Sequence, residues 1–335
     1  MSDGTLLMLG ADEVDASLHG EEAAILDVVR RAYQAHGRGR SVVPHSTFLR
    51  FPGGHDRMIA LPAYLGTPFG LAGVKWIASF PDNLAAGLAR ASGLVVMSCI
   101  TTGRPRAVVE GSIVSAKRTA ASAALAAQVL HDGTPTTVGL LGCGAINFET
   151  LRFLLHVWPG IAEVVVCDLS RARAERFAAR CMANLAGRDI RIVDDWPALS
   201  SGASVVSIAT TAMLPHLSAL GDGTLRTVLH LSLRDLAPEV VLAADNVVDD
   251  VDHVCRADTS VHLAERVVGH RRFIRADLPA LLVGTAPARA SYDRPTIFSP
   301  FGLGILDIAV AELVCERAAA RARGTRIPFA AARSA

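Results

Sequence analysis

Thr137-Val138-Gly139-Leu140-Leu141-Gly142-Cys143-Gly144-Ala145-Ile146-Asn147 decides how the rest of this chain is read. The run Thr137 to Leu141 has strand character, and Ile146 to Val157 carries Ile146, Leu151, Leu154 and Leu155 on one helical face before Pro159-Gly160 ends it. A strand that feeds Gly-x-Gly and then a helix sets backbone N–H groups and a helix N-terminus against a pyrophosphate. Gly142 permits the tight turn, and Gly144 lets the backbone approach the phosphates, with Ala145 and Ile146 beside it. The third position of the motif, often Gly or Ala, is Asn147 here. Asp168 ends the next strand, Val164 to Cys167, where a carboxylate accepts hydrogen bonds from a ribose 2′-OH and repels a 2′-phosphate. That favours NAD over NADP. Arg171 and Arg173 read as the solvated start of a helix over Ala172 to Cys181.

Working outward, Ala203 to Ala209, Thr227 to Leu233 and Asn246 to Val248 are further strands. Strands that alternate with helices imply a parallel, doubly wound sheet covered on both faces. Upstream, Glu21 to Gln34 reads as an amphipathic helix through Ile25, Val28, Val29 and Tyr33, with Gly37 as its stop. From Val42 to Ile100, short strands are separated by Phe51-Pro52-Gly53-Gly54, Leu65-Gly66-Thr67-Pro68 and Phe80-Pro81-Asp82-Asn83. Leu94 to Ile100 enters a hairpin through Thr101 to Pro105, and Ala116 to Leu130 is an alanine-rich helix closed by Asp132-Gly133. Gly302 to Arg323 reads as one long helix, and the Ala/Arg-rich tail from Arg317 reads as fraying.

The 335 residues suit two domains with a sizeable core, without disulfide staples. A net charge of +1, from 33 basic and 32 acidic side chains, carries no nucleic-acid or membrane-surface signal. No apolar run reaches the ~18–20 residues of a membrane span. Met1-Ser2-Asp3-Gly4 has no basic leader region, and the six cysteines are irregularly spaced with no Cys-x-x-Cys pair. A reducing cytoplasm is the expectation.

Four ionisable residues stand out. Lys75, in Gly73-Val74-Lys75-Trp76, is a cation in an apolar run: it either holds a substrate carboxylate or snorkels from an edge strand. Arg50, in Phe48-Leu49-Arg50-Phe51, poses the same question. Arg118, at the opening of the alanine-rich helix, either reaches a phosphate or is an exposed helix charge. Asp235 follows the Thr227 to Leu233 strand, where it serves as a general base or caps the segment from Pro238. Asp249, Asp250, Asp252, His253 and Cys255 cluster in sequence, but no second ligand group with zinc spacing exists, so no metal is expected.

The chain resembles the ornithine cyclodeaminase/μ-crystallin family over nearly its full length. The resemblance is carried by Gly73-Val74-Lys75, by Thr102-Gly103-Arg104-Pro105 through Glu110-Gly111 to Arg118-Thr119-Ala120-Ala121, by the glycine turn, by Asp235, and by Ser299 to Asp307. Within the family it is most similar to the N-(2-amino-2-carboxyethyl)-L-glutamate dehydrogenases, which make L-2,3-diaminopropionate for siderophores and other peptide-like metabolites. The similar strings are Ser46 to Pro52, Lys75 to Asn83, His230-Leu231-Ser232-Leu233-Arg234-Asp235-Leu236 and Phe298 to Gly302.

The resemblance implies a Rossmann-like domain (118–307) inserted in an α+β substrate-binding and dimerisation domain (1–117 with 308–335), and a homodimer. It implies that Arg50, or nearby Arg57, and Lys75 hold a substrate carboxylate, with Lys75 also in the catalytic set. Arg118, Thr210 and Ser299 are implied as cofactor contacts, and Asp235 as the acid–base residue. Ornithine cyclodeaminases show Asp-x-Pro-Gly-Lys after that acid, whereas this chain reads Asp235-Leu236-Ala237-Pro238-Glu239. The expected reaction is NAD-dependent oxidative hydrolysis of the glutamate conjugate. The alternatives are ornithine cyclodeamination, ketimine reduction or alanine dehydrogenation, and a non-enzymatic NAD(P)H-binding protein.

Overall fold

The computed structural model describes residues 4–52, 56–185, 187–221, 223–288 and 293–329. Gly53 and Gly54 of the expected Pro-Gly turn, and the tail from residue 330, lie outside these. The chain divides into two compact units: Met1–Arg118 with Leu303–Ala335, and Thr119–Gly302. The family resemblance places these boundaries at 117/118 and 307/308.

The first unit begins with β1 (Thr5–Leu9), α1 (Ala11–Leu18) and α2 (Glu22–Gly37). Five strands follow: β2 (Ser41–Val42), β3 (Thr47–Arg50), β4 (Arg57–Leu65), β5 (Leu71–Ser79) and β6 (Ala91–Ser98). Next come β7 (Pro105–Glu110) and α3 (Gly111–Leu130), within which the chain passes into the second unit. The strands form one sheet in the order β16-β1-β7-β6-β5-β4-β2, with β3 on β4 and β16 being Thr325–Pro328. The region 42–100 therefore holds two nine-residue strands, longer than its turn-rich sequence suggests.

Alternation sends Leu61, Ala63 and Leu65 of β4, and Val95 and Met97 of β6, into the core. On that face lies α11 (Gly304–Ala320), which packs on α2 and on β4 through β7. It is apolar nearly all round, and twelve of its residues are buried, which suits a helix enclosed by its own domain. Two glycines allow its approach. A Cβ at Gly73 would lie 2.5 Å from the Val96 carbonyl oxygen and 3.0 Å from Ile308, and one at Gly304 would lie 2.8 Å from the Leu61 carbonyl. The opposite face carries a row of paired residues, Val74, Val96, Val108 and Met8, with exposed Trp76 and Leu94 beside it.

Two expectations change here. Arg118 does not open a helix: α3 starts at Gly111, where Glu110 accepts the N–H groups of Ser112 and Ile113 at 2.7 and 2.9 Å. The chain beyond Arg317 does not simply fray, because Thr325–Pro328 pairs antiparallel with β1.

The second unit runs β8 (Thr137–Leu141), α4 (Ala145–Val157), β9 (Glu163–Cys167), α5 (Arg171–Asn184), β10 (Asp189–Ile192), α6 (Trp196–Ser201) and β11 (Val205–Ile208). It continues with β12 (Thr227–His230), α7 (Pro238–Ala243), β13 (Asp245–Val248), α8 (Val251–Val254), α9 (Ser260–Val268), β14 (Ile274–Asp277), α10 (Leu278–Val283) and β15 (Thr296–Ser299). Every neighbour in the sheet β10-β9-β8-β11-β12-β15-β13-β14 is parallel. This is the Rossmann-like doubly wound sheet. Its strand order reverses between β8 and β11, and ligands of such sheets sit outside the strand C-termini at that point.

Candidate functional site

The glycine turn falls at the reversal point. Gly142 has φ +91°, and a Cβ there would meet the Ala209 carbonyl oxygen at 2.4 Å, so β8 and β11 diverge only with glycine. At Gly144 a Cβ would meet no protein atom within 4 Å. Folding therefore gives no reason for glycine at this position, and the open space leaves room for a phosphate against the N-terminus of α4, with Ala145 exposed beside it. Asn147 departs from the usual small residue for a visible reason. Its amide donates to the Leu141 and Gly142 carbonyls at 2.9 and 2.7 Å, and its oxygen accepts from Ser207 of β11 at 2.7 Å. It braces the turn from beneath.

Asp168 accepts the N–H groups of Cys143 and Ser170, both at 2.9 Å, which ties the end of β9 to the turn. Arg171 pairs with Glu175 and Asp194 in solvent, while Arg173 lies 3.6 Å from Asp168. A strained turn, an open backbone, a helix start and a carboxylate on the adjacent strand end fit a dinucleotide.

The same unit encloses a carboxylate. Asp235 has no exposed surface. Its Oδ1 accepts from the Thr210 hydroxyl, and its Oδ2 accepts from Ser232 and lies 3.2 Å from Nε2 of His230. His230, itself buried at the end of β12, has Nδ1 3.2 Å from the Ser299 hydroxyl on β15. The imidazole thus bridges Ser299 and the Asp235 carboxylate, one ring nitrogen to each. Burial alone would raise the Asp235 carboxyl, but the bond and charge of His230 and the bonds from Ser232 and Thr210 hold it down at about 2. Asp235 is thus a fixed anion. It does not cap the helix at Pro238, because Ala237 takes that place. Thr210 and Ser299, expected as cofactor contacts, are both engaged in this network.

The first unit has its own buried cluster. Lys75 lies inside the sheet on β5, not on an edge, and is 2% exposed. Its Nζ is 2.8 Å from Oδ2 of Asp307 on α11 and 3.2 Å from the Ser115 hydroxyl. Arg118 is also buried, so it is not an exposed helix charge; its Nε reaches Oδ1 of Asp307 at 3.0 Å and its Nη2 reaches Ser115 at 3.3 Å. Burial and the adjacent Arg118 charge push the Lys75 amine down to about 8, against the pull of Asp307. Two buried cations share one carboxylate, which leaves an excess positive charge suited to an anionic ligand group.

Arg50 is not part of this cluster. It is exposed on β3, with its guanidinium 5.4 Å from the Phe48 ring centre. Among the described residues no group of side chains is arranged to hold a metal. Asp249 instead accepts N–H bonds from Phe301 and Gly302 at 2.8 and 2.7 Å. Among the described residues no helix is long and apolar enough to cross a membrane.

Sequence reasoning passed over the roles of Asp307, Ser115, His230, Ser232 and His216, whose Nε2 lies 4.0 Å from Asp235. For Asp307 the signal was present, since Ile305-Leu306-Asp307-Ile308-Ala309 buries a charge in an apolar run as Gly73-Val74-Lys75-Trp76 does.

Comparison with known proteins agrees with this geometry. The chain is 28% identical over 336 aligned positions to the alanine dehydrogenase of Archaeoglobus fulgidus, covering 96% of this chain and 98% of that protein. It is also 28% identical over 331 positions to the N-((2S)-2-amino-2-carboxyethyl)-L-glutamate dehydrogenase of Staphylococcus aureus, again covering 96% and 98%. Among solved structures, an archaeal alanine dehydrogenase dimer with bound NAD superposes with a TM-score of 0.86 at 25% identity, over 97% of this chain and 99% of that one. The Δ1-pyrroline-2-carboxylate reductase of Thermococcus litoralis, in complex with NADH and L-proline, shares the fold with a TM-score of 0.88 at 23% identity, over 95% and 99%. The model of the ornithine cyclodeaminase/mu-crystallin family matches residues 7–322, and the chain belongs to that family.

Proposed function

We propose that this protein is an NAD-dependent dehydrogenase that oxidises and hydrolyses N-(2-amino-2-carboxyethyl)-L-glutamate to 2-oxoglutarate and L-2,3-diaminopropionate. The observation that carries the reading is the pair of buried cations, Lys75 and Arg118, on the single carboxylate of Asp307. Such a set is completed by a substrate carboxylate, and Arg50, exposed on β3 outside the cluster, would add a further cation for a substrate with several. Ornithine would bring a further positive charge to a site already short of anions.

NAD supplies the hydride acceptor, held by Gly142, Gly144, Ala145, Ile146 and Asp168. Arg118 would serve as a cofactor-phosphate contact, as the family resemblance implies. Lys75 fixes the substrate, and Asp235 is the charge around which the acid–base step is built. The reaction balances as secondary amine, NAD⁺ and water giving keto acid, primary amine, NADH and a proton. The product would serve siderophore or peptide natural-product synthesis in the cytoplasm, where the six free cysteines stay reduced. The apolar row Val74-Val96-Val108-Met8 would pair with a second copy as a homodimer.

Purified protein should form NADH with the glutamate conjugate, with 2-oxoglutarate identified by mass spectrometry, and should prefer NAD to NADP. Little or no proline should arise from L-ornithine. The equal identity to an alanine dehydrogenase favours one second reading, so L-alanine belongs in the same assay. NADH from L-alanine with silence from the conjugate would replace the first reading with the second.

A further inference from the structure

Asp235 is sealed at the back and flanked at the front. On the buried side His230 touches Oδ2 and is locked by Ser299. On the other side stands His216, its side chain 44% exposed and its Nε2 4.0 Å from Oδ1 of Asp235. The placement of His216 is built into the backbone. The N–H groups of His216 and Leu217 both donate to the Asp235 carbonyl at 2.9 Å. Ala237 N–H returns to the Leu217 carbonyl at 2.9 Å, and Leu217 and Leu236 form a parallel bridge. The loop after β11 is thus stitched to the loop after β12, which fixes the main chain of His216 beside that of Asp235. His216 and His230 are the ionisable groups within ion-pair distance of Asp235, and Asp235 is the one within that distance of His216, among the described residues.

We propose that His216 is a further catalytic residue, the imidazole that takes the proton from the substrate's secondary ammonium while Asp235 orients it and balances its charge. The inference rests on the dehydrogenase reading above and adds the group that handles its proton. In the step, the substrate N–H bond breaks, Nε2 of His216 gains the proton, and the nitrogen keeps the electron pair that hydride departure requires.

Three observations lead to this assignment. Asp235 has no exposed surface, and both of its oxygens are already engaged by Thr210, Ser232 and His230. Its three donors, Thr210, Ser232 and His230, and its low-lying carboxyl make it a weak proton acceptor near neutrality, whereas imidazole as a side-chain class is matched to that range. His216 is open to solvent, so the proton it accepts can leave. The 4.0 Å separation is within ion-pair distance and beyond a hydrogen bond, as is common before substrate closes on a catalytic pair.

Two measurements test the proposal. In ligand-free protein, the His216 ring signals, assigned by their loss in His216→Gln, should move in the NMR spectrum of Asp235→Asn at constant pH; unmoved signals would overturn the pairing. In turnover, His216→Gln should lower kcat by roughly 10²-fold with KM changed less than about twofold. Added imidazole should restore part of the activity of His216→Gly. A His216→Gln protein with wild-type kcat, or a His216→Gly protein that imidazole does not revive, would overturn the catalytic role. Should wild-type protein turn over neither the conjugate nor L-alanine, the dehydrogenase reading fails by itself, and the NMR arm still decides whether His216 and Asp235 act as a pair.

Discussion

The two buried charge clusters are built in opposite ways. Around Asp307, one carboxylate serves two cations, and the set is left with positive charge in a place where water cannot compensate it. Around Asp235, one carboxylate is served by Thr210, Ser232 and His230, and its charge is satisfied. The first cluster is incomplete until an anion arrives, which is the electrostatic signature of a binding group. The second is complete and rigid, which suits a charge held constant while a proton moves nearby. The oxygen count of a carboxylate is the same in both cases. What differs is that two full cations crowd the first carboxylate, whereas two hydroxyls and one imidazole serve the second.

The contrast is broken most sharply at Asp235. If its charge is what the second cluster exists to present, Asp235→Asn should cut kcat by roughly 10²–10⁴-fold in the NADH assay. NAD binding by fluorescence titration should hardly change, because the amide keeps the carboxylate's shape. Near-full activity would reduce the cluster to scaffolding.

Asp307 offers the complementary break. Asp307→Ala leaves Lys75 and Arg118 buried together without their counter-charge, and should cost about 3–5 kcal/mol of stability in denaturant unfolding. A loss well under that would show that an anion other than Asp307 already balances the cations.

The smallest effect is a pH dependence. Lys75 loses its charge above about 8, so its hold on a carboxylate should weaken there, and KM should climb toward about tenfold per pH unit while Asp235 stays ionised. Stability moves the other way. Between about 8 and the ordinary lysine value of 10.5, the folded chain holds fewer protons than the unfolded one, so this group makes folding more favourable as pH rises through that window. A flat KM up to pH 9.5 would remove Lys75 from substrate binding.

Much of the second unit was legible because its signals are local. Thr137 to Asn147 writes strand, turn and helix within eleven residues, and Asp168 marks the end of the next strand. The strands that were missed, β10, β14 and β15, are four residues each and have no glycine punctuation of that kind. In the first unit, Lys75 was visible as a charge in an apolar run, but its partners were not. Asp307 lies 232 positions away in sequence, and only the packing of α11 on β5 brings them together. His230 passed for a strand residue in Val228-Leu229-His230-Leu231, because periodicity reports burial and not what a buried polar group touches. Arg50 shows the converse: its sequence neighbours are apolar, yet β3 hangs on β4 off the main path of the sheet, and the side chain is exposed.

The place of β15 governs when this chain can finish folding. Thr296–Ser299 pairs with both β12 and β13, so the last strand of the second unit fills a gap in the middle of its sheet. The core helix of the first unit, Gly304–Ala320, follows directly. Synthesis from the N-terminus therefore yields two sheets that wait, one lacking an interior strand and the other its covering helix, until a stretch of 25 residues, from Thr296 to Ala320, has emerged. Exposed apolar surface persists through nearly the whole of translation. The closing segment then emerges within a few seconds at about 5–20 residues per second, supplying the missing strand and the covering helix almost together and leaving the edge strand Thr325–Pro328 to follow.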